Sequence, residues 1–193
     1  MKAMAGPKIS FTYRDYLLLP EEKRVELIGG EFYVAPAPDV DHQRISRNLE
    51  IALWSFVREK QLGEVLYAPC DVILSDSDVV QPDLLFVSRK RRGIIRREGI
   101  RGAPDLVVEI LSPATEERDR ETKLKLYGKH GVREYWLVDP RKRVIELFIL
   151  GEEGLGHHRS FPEGTELLSP LLPGFRLPVE EVFQELGEEE ARA

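Results

Sequence analysis

Cysteine is almost absent from this sequence, with Cys70 alone among 193 residues. A single cysteine excludes an internal disulfide and a cysteine-rich zinc site, so Cys70 is interpreted as a small apolar side chain beside a strand. No apolar run approaches the roughly 20 residues of a membrane-spanning helix, and the first six residues lack the apolar segment of a signal peptide. We therefore predict a cytoplasmic protein that does not enter a membrane.

Several catalytic motifs are also missing. The chain has no glycine-rich loop ending in Lys-Ser or Lys-Thr, no G-x-G-x-x-G after a strand and no G-x-S-x-G. These absences argue against a P-loop NTPase, a dinucleotide-binding domain and a hydrolase with a nucleophile elbow. The formal net charge of -6 argues against a protein that coats nucleic acid through its overall field, but it permits a local basic patch.

Length and periodicity predict one domain over residues 10–186, with a flexible start at 1–9 and an acidic flexible tail at 187–193. The order of elements indicates a mixed β-sheet with helices against it, of the α/β or α+β class. A hairpin is predicted over 24–34 around Gly29-Gly30. Helices are predicted over 12–19, 39–61, 116–129 and 179–186, further strands over 64–68, 71–74, 81–87, 105–111, 134–138 and 144–150, and loops over 88–104 and 151–156.

Two of these strands carry a carboxylate where the apolar pattern calls for a hydrophobic residue. Asp83 lies near the start of the run 81–87, and Glu109 lies inside the run 105–111. An isolated charge in a buried strand costs several kcal/mol unless it is paired or binds a cation. If the two strands are neighbours, their carboxylates could converge on one divalent metal ion.

A series of short motifs in fixed order covers nearly the whole chain. The motifs are Arg24-Val25-Glu26-Leu27-Ile28-Gly29-Gly30-Glu31, Gln81-Pro82-Asp83, Asp105 to Pro113, Lys123-Leu124, Gly131 to Pro140 and Leu172-Pro173-Gly174-Phe175. Together they resemble the PD-(D/E)xK restriction-endonuclease-like superfamily and, within it, the Uma family of predicted restriction endonucleases. The resemblance implies a restriction-endonuclease-like mixed sheet flanked by helices, with an N-terminal hairpin. It also implies a metal-dependent hydrolase that cleaves phosphodiester bonds in DNA.

The resemblance assigns Asp83 and Glu109 as ligands of Mg²⁺ or Mn²⁺, because hard carboxylate oxygens suit these ions. The superfamily places its catalytic lysine two residues after the second acid, where this chain has Leu111. The resemblance therefore implies that the following helix supplies the lysine as Lys123. Helical spacing places Lys123 on the apolar arc and Lys125 on the opposite side. A structural ion pair of Lys123 with Asp119, four residues earlier, is the alternative.

Three further residues are candidates beside the metal ligands. Glu26 occupies the position where related nucleases often add another acid, although it could equally be a surface residue paired with Arg24 or Lys23. Gln81 is close enough in sequence to Asp83 to belong to the outer shell of a metal site. His42 is a weaker candidate, since a capping or exposed histidine is the default at the start of a helix.

The connection 88–104 holds seven positive charges within thirteen residues. Such a run is usually a solvated loop, but it follows the Asp83 strand and could therefore hold DNA phosphates near the metal site. The candidate contacts are Arg89, Arg91, Arg92, Arg96 and Arg97.

The alternative to a nuclease is a noncatalytic module that keeps the nuclease fold and binds nucleic acid or protein. Superfamily nucleases that cut both strands often form homodimers, and the strands at 134–138 and 144–150 could offer an edge for pairing.

Overall fold

The computed structural model describes residues 10–20 and 24–186. The predicted start 1–9 and acidic tail 187–193 lie outside the described residues, as does Lys23. In the part of the chain that is described, no helix is long and apolar enough to cross a membrane.

Strands dominate the described chain. The α-helices are α1 (Tyr13–Tyr16), α2 (Val40–Glu59), α3 (Leu124–His130) and α4 (Val179–Val182), with a 3₁₀ helix at Arg89–Ile94 and a π-helix at Arg118–Lys123. The strands are β1 (Val25–Ile28), β2 (Glu31–Val34), β3 (Gly63–Tyr67), β4 (Val72–Ser75), β5 (Asp78–Val80), β6 (Leu84–Ser88), β7 (Ile95–Arg96), β8 (Gly99–Arg101), β9 (Leu106–Ile110), β10 (Glu134–Asp139), β11 (Val144–Gly151), β12 (Gly154–Pro162), β13 (Glu166–Leu168) and β14 (Arg176–Pro178).

These strands form two mixed six-stranded sheets and a small hairpin, which confirms the mixed α+β class. The first sheet has the order β2-β1-β5-β4-β8-β7, and the second has the order β12-β11-β10-β9-β6-β3. In the second sheet β9 is antiparallel to β6 and parallel to β10. Strands β13 and β14 pair separately. The sequence pattern predicted one sheet, because it cannot show which short strands pair with each other.

The N-terminal hairpin and the long helix are present as predicted. Gly29 and Gly30 have φ values of 59° and 77°, a left-handed conformation that favours glycine and suits a tight hairpin turn. Asp39 caps α2 by accepting a hydrogen bond from the His42 backbone N–H at 2.7 Å. The apolar face of α2 is buried on the second sheet.

Three local predictions are wrong. Residues 88–104 hold the 3₁₀ helix, β7 and β8, and residues 154–156 already belong to β12. Strand β5 also lies between the predicted strands 71–74 and 81–87, where no element was predicted. These strands are short or rich in charge and glycine, so they lack the apolar alternation that identifies a strand. The predicted pairing edge is wrong as well, because β10 and β11 are interior strands and the edges of that sheet are β12 and β3.

Alternation along β6 and β9 divides their side chains between two cores. Leu84, Phe86 and Val108 join the core beneath α2. On the opposite face, Leu85 and Val107 join the core that packs against α3 and the first sheet. Since successive side chains of a strand alternate between faces, Asp83 and Glu109 share the second face. The fold therefore directs both carboxylates toward the helix that carries Lys123.

Candidate active site

Asp83 and Glu109 are neighbours across one strand pair. Leu84 is in register with Val108, which places Asp83, one residue earlier, level with Glu109. The Ile110 backbone N–H donates a hydrogen bond of 2.8 Å to Asp83 Oδ2. The condition on which the metal-site hypothesis depends, that the two carboxylate-bearing strands are neighbours, is therefore met.

The Lys123 ammonium lies among three buried carboxylates. Its Nζ is 2.9 Å from Glu26 Oε1, 3.0 Å from Glu109 Oε1 and 3.3 Å from Asp119 Oδ1. Lys123 is 4% exposed, whereas Lys125 faces solvent. The ion pair with Asp119 that was the alternative for Lys123 thus exists, but it is one of three. Lys123 bridges the hairpin, strand β9 and its own helix.

The π-helix explains how one segment supplies several groups to this cluster. In an α-helix residues three and four apart share a face, whereas the i→i+5 bonds of a π-helix bring residues five apart together. Arg118 and Lys123 are five apart, and both contact Glu26, with Arg118 Nη1 at 3.6 Å from Glu26 Oε2. The Arg118 guanidinium also lies 4.5 Å from the centre of the Tyr33 ring.

Glu26 is a buried member of the cluster and not a surface residue of the hairpin. It is 2% exposed, and its Oε1 accepts a hydrogen bond of 3.0 Å from the Gln81 backbone N–H. The Gln81 side chain donates to Asp71 Oδ1 at 2.8 Å, and its own buried carbonyl oxygen has no partner among the described residues. Gln81 therefore lies between the cluster and the first sheet.

His42, the weaker candidate from the sequence, also lies in the lining of this site. Its Nε2 lies 3.2 Å from Asp83 Oδ2, and both side chains are 13% exposed. Burial alone would lower the pKa of His42, but the hydrogen bond and negative charge of Asp83 outweigh burial and raise the pKa. Because Asp39 caps α2 three residues before His42, the helix start fixes the position of this ring.

The cluster has more negative than positive groups, and the pKa values reflect this. Burial raises the pKa of Glu109 well above its usual range, against the opposing charge of Lys123 and with help from nearby carboxylates. Burial would lower the pKa of Lys123, but Glu109, Glu26 and Asp119 outweigh it and hold that pKa well above its usual range. The surroundings therefore favour the charged form of Lys123 and the neutral form of Glu109.

These groups line a cavity of about 260 Å³, with five carboxylates against Arg24 and Lys123. Asp83 Oδ1 and Glu109 Oε2 accept no hydrogen bond within the part of the chain described. No three His, Cys, Asp or Glu side chains in residues 10–20 and 24–186 form a group that could hold a metal ion by itself. Mg²⁺ commonly takes one or two carboxylates and completes its shell with water and phosphate oxygens, so the donor set fits such an ion.

Sequence reasoning missed two members of the site. Tyr127 is fully buried and donates a hydrogen bond of 2.6 Å to Glu109 Oε1, and Arg118 contacts Glu26. Tyr127 was assigned to the apolar arc, and its spacing of four residues from Lys123 was the available signal. The position of Arg118 depends on the π-helix, for which the sequence gives no signal.

The arginine run lies away from this cavity. Asp83 immediately precedes β6 and Arg89 immediately follows it, so the five-residue strand separates them by roughly 17 Å or more. Two of the five candidate arginines are paired, with Arg91 Nη1 3.3 Å from Asp105 Oδ1 and Arg92 Nη2 2.6 Å from Glu64 Oε1. Arg89, Arg96 and Arg97 have no ion pair with any described residue. A role of the run in binding DNA stays a prediction.

Comparison with known proteins agrees with this architecture. The family described as "Uma2: Putative restriction endonuclease" matches residues 13–180. A crystal structure described as that of "a putative nuclease belonging to DUF820" from Anabaena variabilis ATCC 29413 is similar, with a TM-score of 0.75 and 22% identity over 90% of this chain and 97% of that one. No curated protein matches the chain. Because the family match covers most of the sequence, the chain belongs to the Uma2 family of restriction-endonuclease-like proteins.

Proposed function

We propose that this chain is a metal-dependent endonuclease that hydrolyses phosphodiester bonds in DNA. The observation that carries the proposal is the buried Lys123 ammonium, held between Glu26 and Glu109 in the lining of a cavity that Asp83 also lines. Membership of a family described as restriction endonucleases supports nuclease chemistry. The metal requirement and the DNA substrate are part of the proposal.

Each group has a distinct role in this scheme. Asp83 and Glu109 hold Mg²⁺ or Mn²⁺, which when bound neutralises phosphoryl oxygens and lowers the pKa of a water. Hydrogen bonds from the Ile110 N–H and from the Tyr127 hydroxyl fix one oxygen of each carboxylate and leave the other free. Lys123 orients the attacking water and stabilises the negative charge that develops on the phosphoryl group.

Titration with Mn²⁺ by calorimetry tests the metal site, and plasmid nicking tests turnover. The wild type should bind Mn²⁺ and nick supercoiled plasmid only with Mg²⁺ or Mn²⁺ present, and EDTA should stop the reaction. Asp83→Ala should lose both properties. Equal Mn²⁺ binding by the wild type and Asp83→Ala would show that the site is assigned wrongly.

A noncatalytic module that binds nucleic acid is the second candidate. It is favoured by the three carboxylates that already surround Lys123, since a lysine engaged in this way can serve structure alone. Such a protein would bind DNA in EDTA and would leave the plasmid intact at every Mg²⁺ and Mn²⁺ concentration. The two assays together therefore separate the candidates.

A further inference from the structure

A second cavity lies at the carboxyl end of α2. It is an open groove of about 400 Å³ between α2, β3 and the 3₁₀ helix. Its lining includes Trp54 and Arg58 from α2, Glu64 from β3, and Arg89 and Arg92 from the 3₁₀ helix. None of these residues belongs to the candidate active site.

The groove contains an exposed indole. Trp54 is 45% exposed, whereas Trp136, the other tryptophan of the chain, is fully buried in the core. The Arg58 guanidinium carbon lies 4.7 Å from the centre of the Trp54 ring. Nucleic-acid bases stack on aromatic rings and on arginine planes. An exposed indole beside a guanidinium is therefore a surface for an unpaired base.

The charge of the groove suits the backbone of such a strand. Three arginines stand against one acid in the lining, and Arg92 is the arginine that Glu64 pairs with, at 2.6 Å. Arg58 and Arg89 form no ion pair within the described residues, so both remain available to phosphates. Phosphate contacts by arginine supply the electrostatic part of nucleic-acid affinity.

We propose that this groove binds an unpaired strand of nucleic acid, with a base stacked on Trp54 and phosphates held by Arg58 and Arg89. The inference deepens the proposed nuclease function and rests on it for the class of substrate. Stacking requires the face of a base, which a duplex covers with its neighbouring base pairs, so the occupant is single-stranded. The proposed substrate thus has an unpaired segment beyond the cleavage point.

The groove and the active site are close enough to engage one molecule. His42 of the active site and Trp54 lie on the same helix, twelve positions apart, which corresponds to about 18 Å at 1.5 Å per residue.

Binding in EDTA tests this proposal independently of cleavage. Labelled single-stranded dT₁₆ and U₁₆ and a 16-base-pair DNA duplex are titrated against the wild type, with fluorescence anisotropy and tryptophan emission as readouts. A single strand should quench the Trp54 emission and leave that of Trp136. Trp54→Ala should weaken single-strand affinity by about tenfold, corresponding to about 1.4 kcal/mol. Trp54→Phe should retain most of it, and Arg89→Gln should weaken it and lower its salt dependence.

Matched controls make the result specific. Ile51→Ala removes an exposed apolar side chain one turn earlier on α2, and Lys125→Gln removes an exposed charge elsewhere. Both should bind single strands as the wild type does. Unquenched emission, or an unchanged single-strand affinity of Trp54→Ala, would overturn the proposal, as would a loss confined to the duplex. If the wild type does not nick plasmid but Trp54→Ala still weakens single-strand binding, the proposed nuclease function is wrong and the proposed binding of an unpaired strand in the groove is retained.

Discussion

The Lys123 side chain contributes to folding as well as to the proposed chemistry. Its ammonium is the shared partner of Glu26, Glu109 and Asp119, and removal of this cation, which would leave buried carboxylates uncompensated, typically costs about 3–5 kcal/mol. A loss of activity on replacing Lys123 therefore has two explanations, loss of catalysis and loss of the fold. Stability must be measured together with rate.

Lys123→Met should lower the plasmid-nicking rate by roughly a hundredfold or more, which is the scale for loss of one preorganised charge-stabilising group. Its affinity for Mn²⁺ should change little or rise, because a nearby positive charge disfavours cation binding. Lys125→Met should leave both quantities unchanged, since Lys125 faces solvent. Thermal unfolding shows whether each variant is folded. If Lys123→Met does not fold, Lys123→Arg, which keeps the positive charge, is tested in its place. A critical Lys125 with a silent Lys123 would contradict the assignment.

Glu109→Gln and Asp83→Asn should each abolish Mn²⁺ binding and leave the protein folded or more stable, because each removes a negative charge from an acidic cluster.

Because the folded protein raises the pKa of Glu109, the wild type should lose stability as pH rises from the ordinary glutamate pKa toward that higher value. Glu109→Gln should flatten this part of the pH profile. Urea unfolding between pH 4 and pH 9 measures it, and an unchanged profile would contradict the burial of a titrating Glu109.

Among the secondary-structure elements, the turn between β10 and β11 has its own charge arrangement. Asp139 is 2% exposed, accepts hydrogen bonds from the backbone N–H groups of Arg141 and Lys142, and pairs with Arg120 at 3.0 Å. Burial would raise the pKa of Asp139, but the Lys142 and Arg120 interactions outweigh it and lower the pKa. This carboxylate therefore ties the π-helix to the turn.

Asp139→Asn should destabilise the protein by about 1–3 kcal/mol at pH 7, because the variant loses charged hydrogen bonds. A lowered pKa contributes stability above the ordinary aspartate value of 3.8 and loses it as pH falls through the folded value. The difference between wild type and Asp139→Asn should therefore shrink below about pH 4. Urea unfolding at pH 7 and pH 3 measures it, and the exposed Glu152→Gln in the next hairpin is the control.

Elements whose apolar residues recur at a regular spacing could be predicted from the sequence. Elements that form because they pair with distant strands could not. The spacing of apolar residues in α2 and the solvent-facing Lys125 follow from helix geometry alone, and the structure agrees with both. The π-helix widens the turn at Arg118 without any signal in residue type. Strand β12 exists because it pairs with β11, although its own residues are polar. Nonlocal partners also explain why Glu26, which resembles a surface residue of a hairpin, is buried against Lys123.

Across the whole molecule, the basic run 89–101 lies apart from the acidic cavity. The arginine run begins beyond the end of β6, so the proposed substrate would have to extend along the molecule to touch both regions. Arg91 is already neutralised by the buried Asp105, whereas Arg96 and Arg97 are exposed and form no ion pair with a described residue. Arg91 should therefore contribute less to DNA binding than Arg96 and Arg97 do. The homodimer also stays a prediction.

The double variant Arg96→Gln/Arg97→Gln should weaken duplex binding equally for all sequences. It should also lower the slope of log affinity against log salt by up to about two units, one for each lost phosphate contact. Arg91→Gln should change the slope less, because Asp105 already neutralises that charge. Anisotropy titrations from 50 to 200 mM salt measure the slope. Equal slopes for the wild type and the double variant would mean that Arg96 and Arg97 are solvated and do not contact phosphates.

The interior position of β9 has a consequence for the order of events during synthesis. Every side chain assigned to the candidate active site precedes residue 131, yet β9, which carries Glu109, pairs with β10 on its other side. The residues of the candidate active site are therefore translated before strand β10, which pairs with β9. A chain stopped after His130 should neither fold nor nick plasmid, although it contains Glu26, Asp83, Glu109 and Lys123. Under the proposed function, newly made protein would then cleave no DNA until residues 131–193 have been added.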